Sequence, residues 1–198
     1  MGKHKVIIDT DPGIDDAVAL MLALSNPDID LLAITTVSGN QSLVNTTRNA
    51  QRILRFFASG DQSCNLPPLY RGCDRPLVCE PVHVVEIFGS DGFGDADWTS
   101  FPEVTTETPA TEPQLEHASN AIVRLVRQYP NEVSLVCIGP LTNIAVALRL
   151  EPALPTLVRQ IVVMGGSTQG VGNTTAVGEF NVCADPEAAK VILEAFPG

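Results

Sequence analysis

Val6-Ile7-Ile8-Asp9-Thr10-Asp11-Pro12-Gly13-Ile14-Asp15-Asp16 opens the chain with an apolar run, a Pro-Gly turn and four carboxylates within the eight residues from Asp9 to Asp16. Consecutive β-branched residues fit a parallel strand buried on both faces. From Asp15 to Leu24 the apolar positions recur at helical spacing, so the segment reads as one β-α step. One or two acids at a helix start are ordinary caps and dipole partners. Four exceed that need. Crowded carboxylates repel each other unless a cation or hydrogen-bond donors hold them ionised. Clustered acids also supply the oxygen-only ligands that hard divalent cations select. The turn therefore reads as a functional acidic site.

Outward from it the alternation repeats. Residues 31–37 read as a second strand and 42–58 as a helix with Val44, Ile53, Leu54 and Phe57 available for its inner face. Residues 59–113 are rich in Pro, Gly, Asp and Thr and read as a loop-rich insertion around a short strand near Leu69-Tyr70. Regularity returns with a helix over 116–128, striped by Ala118, Ile122, Leu125 and Val126, and a strand over 133–138. A helix over 141–150, a strand over 161–164 and a helix opened by Asp185-Pro186-Glu187 complete the pattern. Residues 1–198 are thus expected to form a single α/β domain: an open, mostly parallel sheet with helices on both faces. Such sheets bind ligands beyond the carboxyl ends of their strands.

The balance of 12 Lys plus Arg against 23 Asp plus Glu gives a formal charge of −11, which opposes binding to nucleic acid or to an anionic membrane surface. With 44% apolar and 18% charged residues the composition is globular, and no apolar run approaches the roughly 18 residues of a membrane span. The first residues show no targeting pattern, so the expected location is cytoplasmic. Five cysteines without a C-x-x-C pair suggest reduced, structural thiols.

Other polar groups follow successive strands. Ser38-Gly39-Asn40 follows the second, where Asn40 could offer an acceptor and a donor to a ligand hydroxyl, although Gly-Asn is also common turn chemistry. Ile138-Gly139-Pro140-Leu141-Thr142-Asn143 follows another, where a main-chain carbonyl could serve a metal. Gly165-Gly166 and Asn173 follow the next, with Glu179-Phe180-Asn181 in the adjoining loop.

Together with Val163-Met164-Gly165-Gly166 and Ala184-Asp185-Pro186, these stretches resemble, in order and spacing, the signatures of the inosine-uridine-preferring nucleoside hydrolases. The resemblance implies a Rossmann-like nucleoside hydrolase fold and hydrolysis of the N-glycosidic bond of a small-molecule ribonucleoside, with one Ca²⁺. It implies Asp11, Asp16 and the carbonyl of Ile138 as metal ligands and Asp11 as general base. It further implies Asp15, Asn40, Asn173, Glu179 and Asn181 on the ribose hydroxyls, Met164 beneath the sugar, and Asp9 supporting the loop from behind. Family members are usually homodimers or homotetramers.

The match has gaps. In the family a later His-Asp pair supplies the remaining calcium ligand and a commonly proposed acid for the leaving base. His4, His83 and His117 do not occupy that motif and read as surface histidines. Phe88 stands where many members carry His. The expectation is a C-terminally truncated member with low or no turnover and an unpaired, aggregation-prone sheet edge. Two other readings compete. One is a shortened homologue that only binds nucleoside or pairs with a full-length partner. The other is a haloacid-dehalogenase-type magnesium phosphatase, suggested by Asp9-x-Asp11 after a strand, but Gly13 and the Pro12-to-Asp16 continuation fit it less well.

Overall fold

The computed structural model describes residues 2–60, 66–97 and 111–196. Parts of the expected insertion, 61–65 and 98–110, lie outside them. Five strands, β1 (His4–Thr10), β2 (Ile29–Thr36), β3 (Leu69–Arg71), β4 (Val133–Cys137) and β5 (Gln160–Val163), form one sheet in the order β3-β2-β1-β4-β5. Every pairing is parallel, so each connection must cross over the sheet.

Pleating splits the apolar run at the start of the chain between two cores. Val6 and Ile8 pack with Ile34 against Leu20 and Ala23 of α1 (Ile14–Ser25) and Ala50, Ile53 and Leu54 of α2 (Leu43–Gly60). Ile7, Ala33 and Leu135 face the other way. They meet Ile122 and Leu125 of α4 (Ala118–Gln128), Ile144 of α5 (Thr142–Leu150) and Ile192 of α8 (Pro186–Ala195). The expected open sheet, covered on both faces, is what forms.

Three short helices were not expected: α3 (Val85–Phe88), α6 (Leu154–Leu157) and α7 (Phe180–Ala184). The last corrects the loop reading of 179–181, because Glu179 accepts from the N–H groups of Asn181 and Val182 and caps a helix there. Val44 is likewise not on the inner face of α2; it is exposed. Among the described residues no helix is long and apolar enough to cross a membrane.

From β1 the chain builds outward to β2 and β3, then crosses back to place β4 and β5 on the other side. The direction reverses between β1 and β4, and parallel sheets open a crevice at such a point beyond their strand ends. Asp9 to Asp11 and Ile138 to Gly139 sit there.

Candidate active site

Asp11 follows β1 directly and is fully buried. Its Oδ2 accepts the Asn40 N–H at 2.6 Å, while its Oδ1 has no hydrogen-bond partner. Two glycines make the space for it. A Cβ on Gly39 would stand 2.1 Å from Asp11 Oδ2, and one on Gly139 2.6 Å from Oδ1, so two strand-end backbones press on the same carboxylate. Asp16, also buried, accepts from the Thr10 hydroxyl at 2.5 Å and the Gly13 N–H at 3.3 Å. Asp9 lies inside the sheet, where one oxygen accepts from Thr35 and from Asn143 Nδ2 at 2.8 Å and the other has no partner. Asp15 faces solvent.

Burial raises the pKa of all three inner acids. Asp9 is pushed up to about 7 by burial, against the donors Asn143 and Thr35. Asp16 is raised to about 6, again by burial first, with Thr10 opposing and the Asp15 charge adding. Asp11 is held well above the usual carboxylate range by burial and then by the charge of Asp16, with the Asn40 N–H opposing. Donors alone do not compensate this cluster, and a cation would. The unpartnered Asp11 Oδ1 beside Asp16 therefore fits a hard divalent ion. The Ile138 carbonyl accepts Asn181 Nδ2 at 3.0 Å, and a carbonyl has a second lone pair to offer. The set is nonetheless lean in charge. Among the described residues no group of three or more His, Cys, Asp or Glu side chains could hold a metal, since the third expected ligand is a main-chain oxygen.

The expected sugar-binding residues fall into two groups. Asn40 is buried beside Asp11, and its Nδ2 donates to the Asp11 carbonyl at 3.2 Å. Asp15 Oδ1, Asn40 Nδ2 and a Phe88 ring carbon each lie 3.2 Å from where a Gly13 Cβ would be, so these three side chains meet over the acidic turn. The second group lies past β5. Glu179 accepts the N–H groups of Gly166, Asn181 and Val182, and Asn173 Oδ1 accepts the Phe180 N–H at 2.8 Å. Asn173 and Glu179 line an open cavity of about 400 Å³ with Gly166, Ser167 and Gln169. Asn181 joins the groups, because its Nδ2 donates to the carbonyls of both Ile138 and Met164 at 3.0 Å. The Met164 side chain is half-exposed.

The sequence reading missed the groups that hold this arrangement. Buried Asn143 donates to Asp9 and to the Thr36 carbonyl and accepts the Cys73 N–H at 2.8 Å, so one amide ties β1, β2 and the loop after β3. Asp185 caps α8 as expected, but also accepts from the Thr142 hydroxyl at 2.6 Å and the Leu77 N–H at 2.9 Å. His83 and His117 correct the surface reading. Both are half-buried, His83 with Nδ1 2.9 Å from the Gly39 carbonyl and His117 accepting the Ser119 N–H at the start of α4. His83 and His117 gave no pattern in sequence, while Asn143 and Asp185 lie in stretches singled out for other reasons.

Asn143→Ala removes the acceptor of the Cys73 N–H and one of the two donors to a buried carboxylate. It is expected to cost about 2–3 kcal/mol. At about 2–4 °C per kcal/mol for a chain of this size, thermal melting followed by circular dichroism should fall by roughly 4–12 °C. A change under one degree would show that the clamp carries no stability.

Known proteins resemble this chain in sequence and in fold. A family model described as inosine-uridine preferring nucleoside hydrolase matches residues 6–197. The chain is 43% identical over 191 residues to the inosine-uridine preferring nucleoside hydrolase of Crithidia fasciculata, covering 96% of this chain and 56% of that protein. It is 40% identical over 193 residues to a pyrimidine-specific ribonucleoside hydrolase of Escherichia coli, covering 98% and 57%. Among solved structures, a plant nucleoside hydrolase superposes with a TM-score of 0.84 at 35% identity, over 97% of this chain and 57% of that one. An inosine-guanosine nucleoside hydrolase gives 0.81 at 37% identity, over 96% and 58%. The chain thus spans little more than half the length of these relatives.

Proposed function

Because the chain belongs to the inosine-uridine preferring nucleoside hydrolase family, we propose that its site serves hydrolysis of ribonucleosides to free base and ribose with Ca²⁺. The observation that carries this reading is the buried Asp11 carboxylate with one unpartnered oxygen, beside buried Asp16, where the sheet reverses direction. Asp11, Asp16 and the Ile138 carbonyl would hold the calcium. When bound, calcium supplies the charge that keeps these acids ionised and lowers the pKa of a water.

The remaining work falls to side chains of this chain. Asp11 takes the proton of the attacking water as its oxygen bonds to the anomeric carbon. The C–N bond breaks in the same displacement, and the base leaves with the electron pair and takes up a proton. Asp15 and Asn40 hold ribose hydroxyls on one side, and Asn181, Glu179 and Asn173 on the other, with Met164 beneath the ring. Asp9 supports the turn from within the sheet. A sugar that becomes cationic in the transition state gains more from these carboxylates than the neutral nucleoside does.

Two carboxylates are few for a cation that favours ~6–8 oxygens, so calcium binding by these 198 residues is expected to be weak, roughly millimolar, and turnover low. That same shortage favours a second reading, in which the chain binds nucleoside without hydrolysing it or pairs with a longer homologue. We place the protein in the cytoplasm, as one domain with 59–113 as an insertion, and expect a homodimer or homotetramer of family type.

Inosine and uridine incubated with the 198-residue chain should release base and ribose in step with added calcium, with release abolished by a chelator. Calorimetric nucleoside binding without release of base would support the second reading. Phosphate release from a nucleotide, with no base from a nucleoside, would replace both with magnesium phosphatase chemistry.

A further inference from the structure

We propose that His83 is a positioning residue of this site, fixing the Gly39–Asn40 peptide so that its N–H meets Asp11 Oδ2 and Oδ1 stays open. The proposal rests on the reading of Asp11 given above. A single peptide unit carries two bonds. Its carbonyl, on Gly39, lies 2.9 Å from His83 Nδ1, and its N–H, on Asn40, donates to Asp11 Oδ2 at 2.6 Å. A carbonyl can only accept, so Nδ1 carries a proton and donates. The peptide is planar, and fixing its oxygen fixes the direction of its N–H. Donation to the carbonyl also polarises the unit and strengthens the bond at its far end.

The grip selects one orientation from two. Turned over, the peptide would aim its carbonyl oxygen at the Asp11 carboxylate and leave His83 without an acceptor. Neighbouring Val84 reinforces the hold, its N–H donating to the Asn40 carbonyl at 3.2 Å. His83 comes from the region read as a loop-rich insertion, so that region reaches the Gly39–Asn40 loop beside Asp11. Gly39 permits the approach, since Asp11 Oδ2 already occupies the place of a side chain there.

The test uses the 198-residue chain and three variants, with the Asn40 amide followed by ¹⁵N-edited NMR without calcium or nucleoside. His83→Ala removes the donor. His83→Gln keeps side-chain bulk but puts its N–H one bond too far out. His83→Asn places an N–H as many bonds from the backbone as Nδ1. In His83→Ala and His83→Gln the Asn40 amide proton should move upfield and exchange about 3- to 10-fold faster, the worth of one hydrogen bond. The calcium dissociation constant should rise by about the same factor. His83→Asn should restore both.

If only the Val84 amide responds and Asn40 does not, His83 merely fastens its own segment and the proposal is overturned. If His83→Ala fails to fold, His83→Gln against His83→Asn decides between the same outcomes. A normal Asn40 response in a protein that binds no calcium would sink the hydrolase reading and leave the positioning role standing.

Discussion

Asp11→Asn is expected to cut calcium-dependent nucleoside hydrolysis by about 10³-fold while raising the melting temperature of the calcium-free protein. The first effect follows from the two roles proposed for Asp11. An amide accepts no proton from water, and general-base catalysis is worth about 10²–10⁴-fold. It also removes one of the two carboxylates proposed, among the described residues, to hold the cation. The second effect follows from burial. Without metal, the folded protein must either hold a charge beside Asp16 with no solvent, or take up a proton that the unfolded chain does not bind near neutral pH. Asparagine avoids both, and its carbonyl oxygen can still accept the Asn40 N–H. A gain of about 1–3 kcal/mol follows, or several degrees. Calcium should reverse the order, because it stabilises only the protein that binds it. Melting curves of both proteins with and without calcium, beside base release from inosine, read out all of this. A lower melting temperature for Asp11→Asn without calcium would mean that the carboxylate is not the burden its burial implies.

The acidic turn stood out in sequence by the density of its carboxylates alone. Four acids within eight residues exceed what a helix cap needs, so their density pointed to chemistry. The sheet was legible for a different reason: its strands are short, mostly apolar runs and its long helices have one apolar stripe. Failures came where periodicity had nothing to act on. Helices α3, α6 and α7 span only four or five residues, barely more than a turn. Val44 precedes Ile53 by nine positions, which at about 3.6 residues per turn places it on the opposite side of α2. The inner face of that half of the helix is instead largely polar, with Leu43 and Ala50 beside three polar side chains. Thr46, Thr47 and Asn49 are buried, and Asn49 donates to the carbonyls of Pro12 and Asp91. No count of apolar residues finds a face of that kind.

Contacts of large sequence separation were equally hidden. Asn143 and Asp9 lie 134 residues apart, and His83 and Gly39 lie 44 apart. In each pair the partner is a lone polar side chain that no periodicity links to the site. What sequence gave for Asn40 and Glu179 was a location at a strand end. What it hid was that their backbone and side-chain groups already bond to Asp11 and to the turn after β5. Both groups are therefore braced by bonds within the chain, as the proposed orientation of a sugar requires.

Gly39→Ala is the second large effect expected, and it separates two reasons for a glycine. A Gly-Asn pair in a turn suggests backbone freedom, yet Gly39 is not among the residues with positive φ. Space is what it supplies. An added Cβ would lie 2.1 Å from Asp11 Oδ2 and 2.8 Å from both Asp11 Cγ and Pro140 Cδ, against 3.4–4 Å for ordinary contact. Either Asp11 turns away or the loop after β2 retreats, and both break the 2.6 Å bond from the Asn40 N–H. A displacement of about 1 Å at a catalytic group costs about 10²-fold in rate, and overpacking a filled interior costs about 1–3 kcal/mol. Hydrolysis and calcium affinity should therefore drop together, with a lower melting temperature. Gly170→Ala supplies the contrast, since Gly170 has φ +67° with no atom within 4 Å of its added Cβ. That variant should lose about 1 kcal/mol through backbone strain alone and keep its calcium affinity. Gly39→Asn completes the comparison. Asparagine tolerates the left-handed region better than alanine does, so it would partly rescue a turn glycine but not one set by close approach. Rescue by asparagine, or unchanged calcium binding in Gly39→Ala, would show that Asp11 is not wedged between the two strand ends.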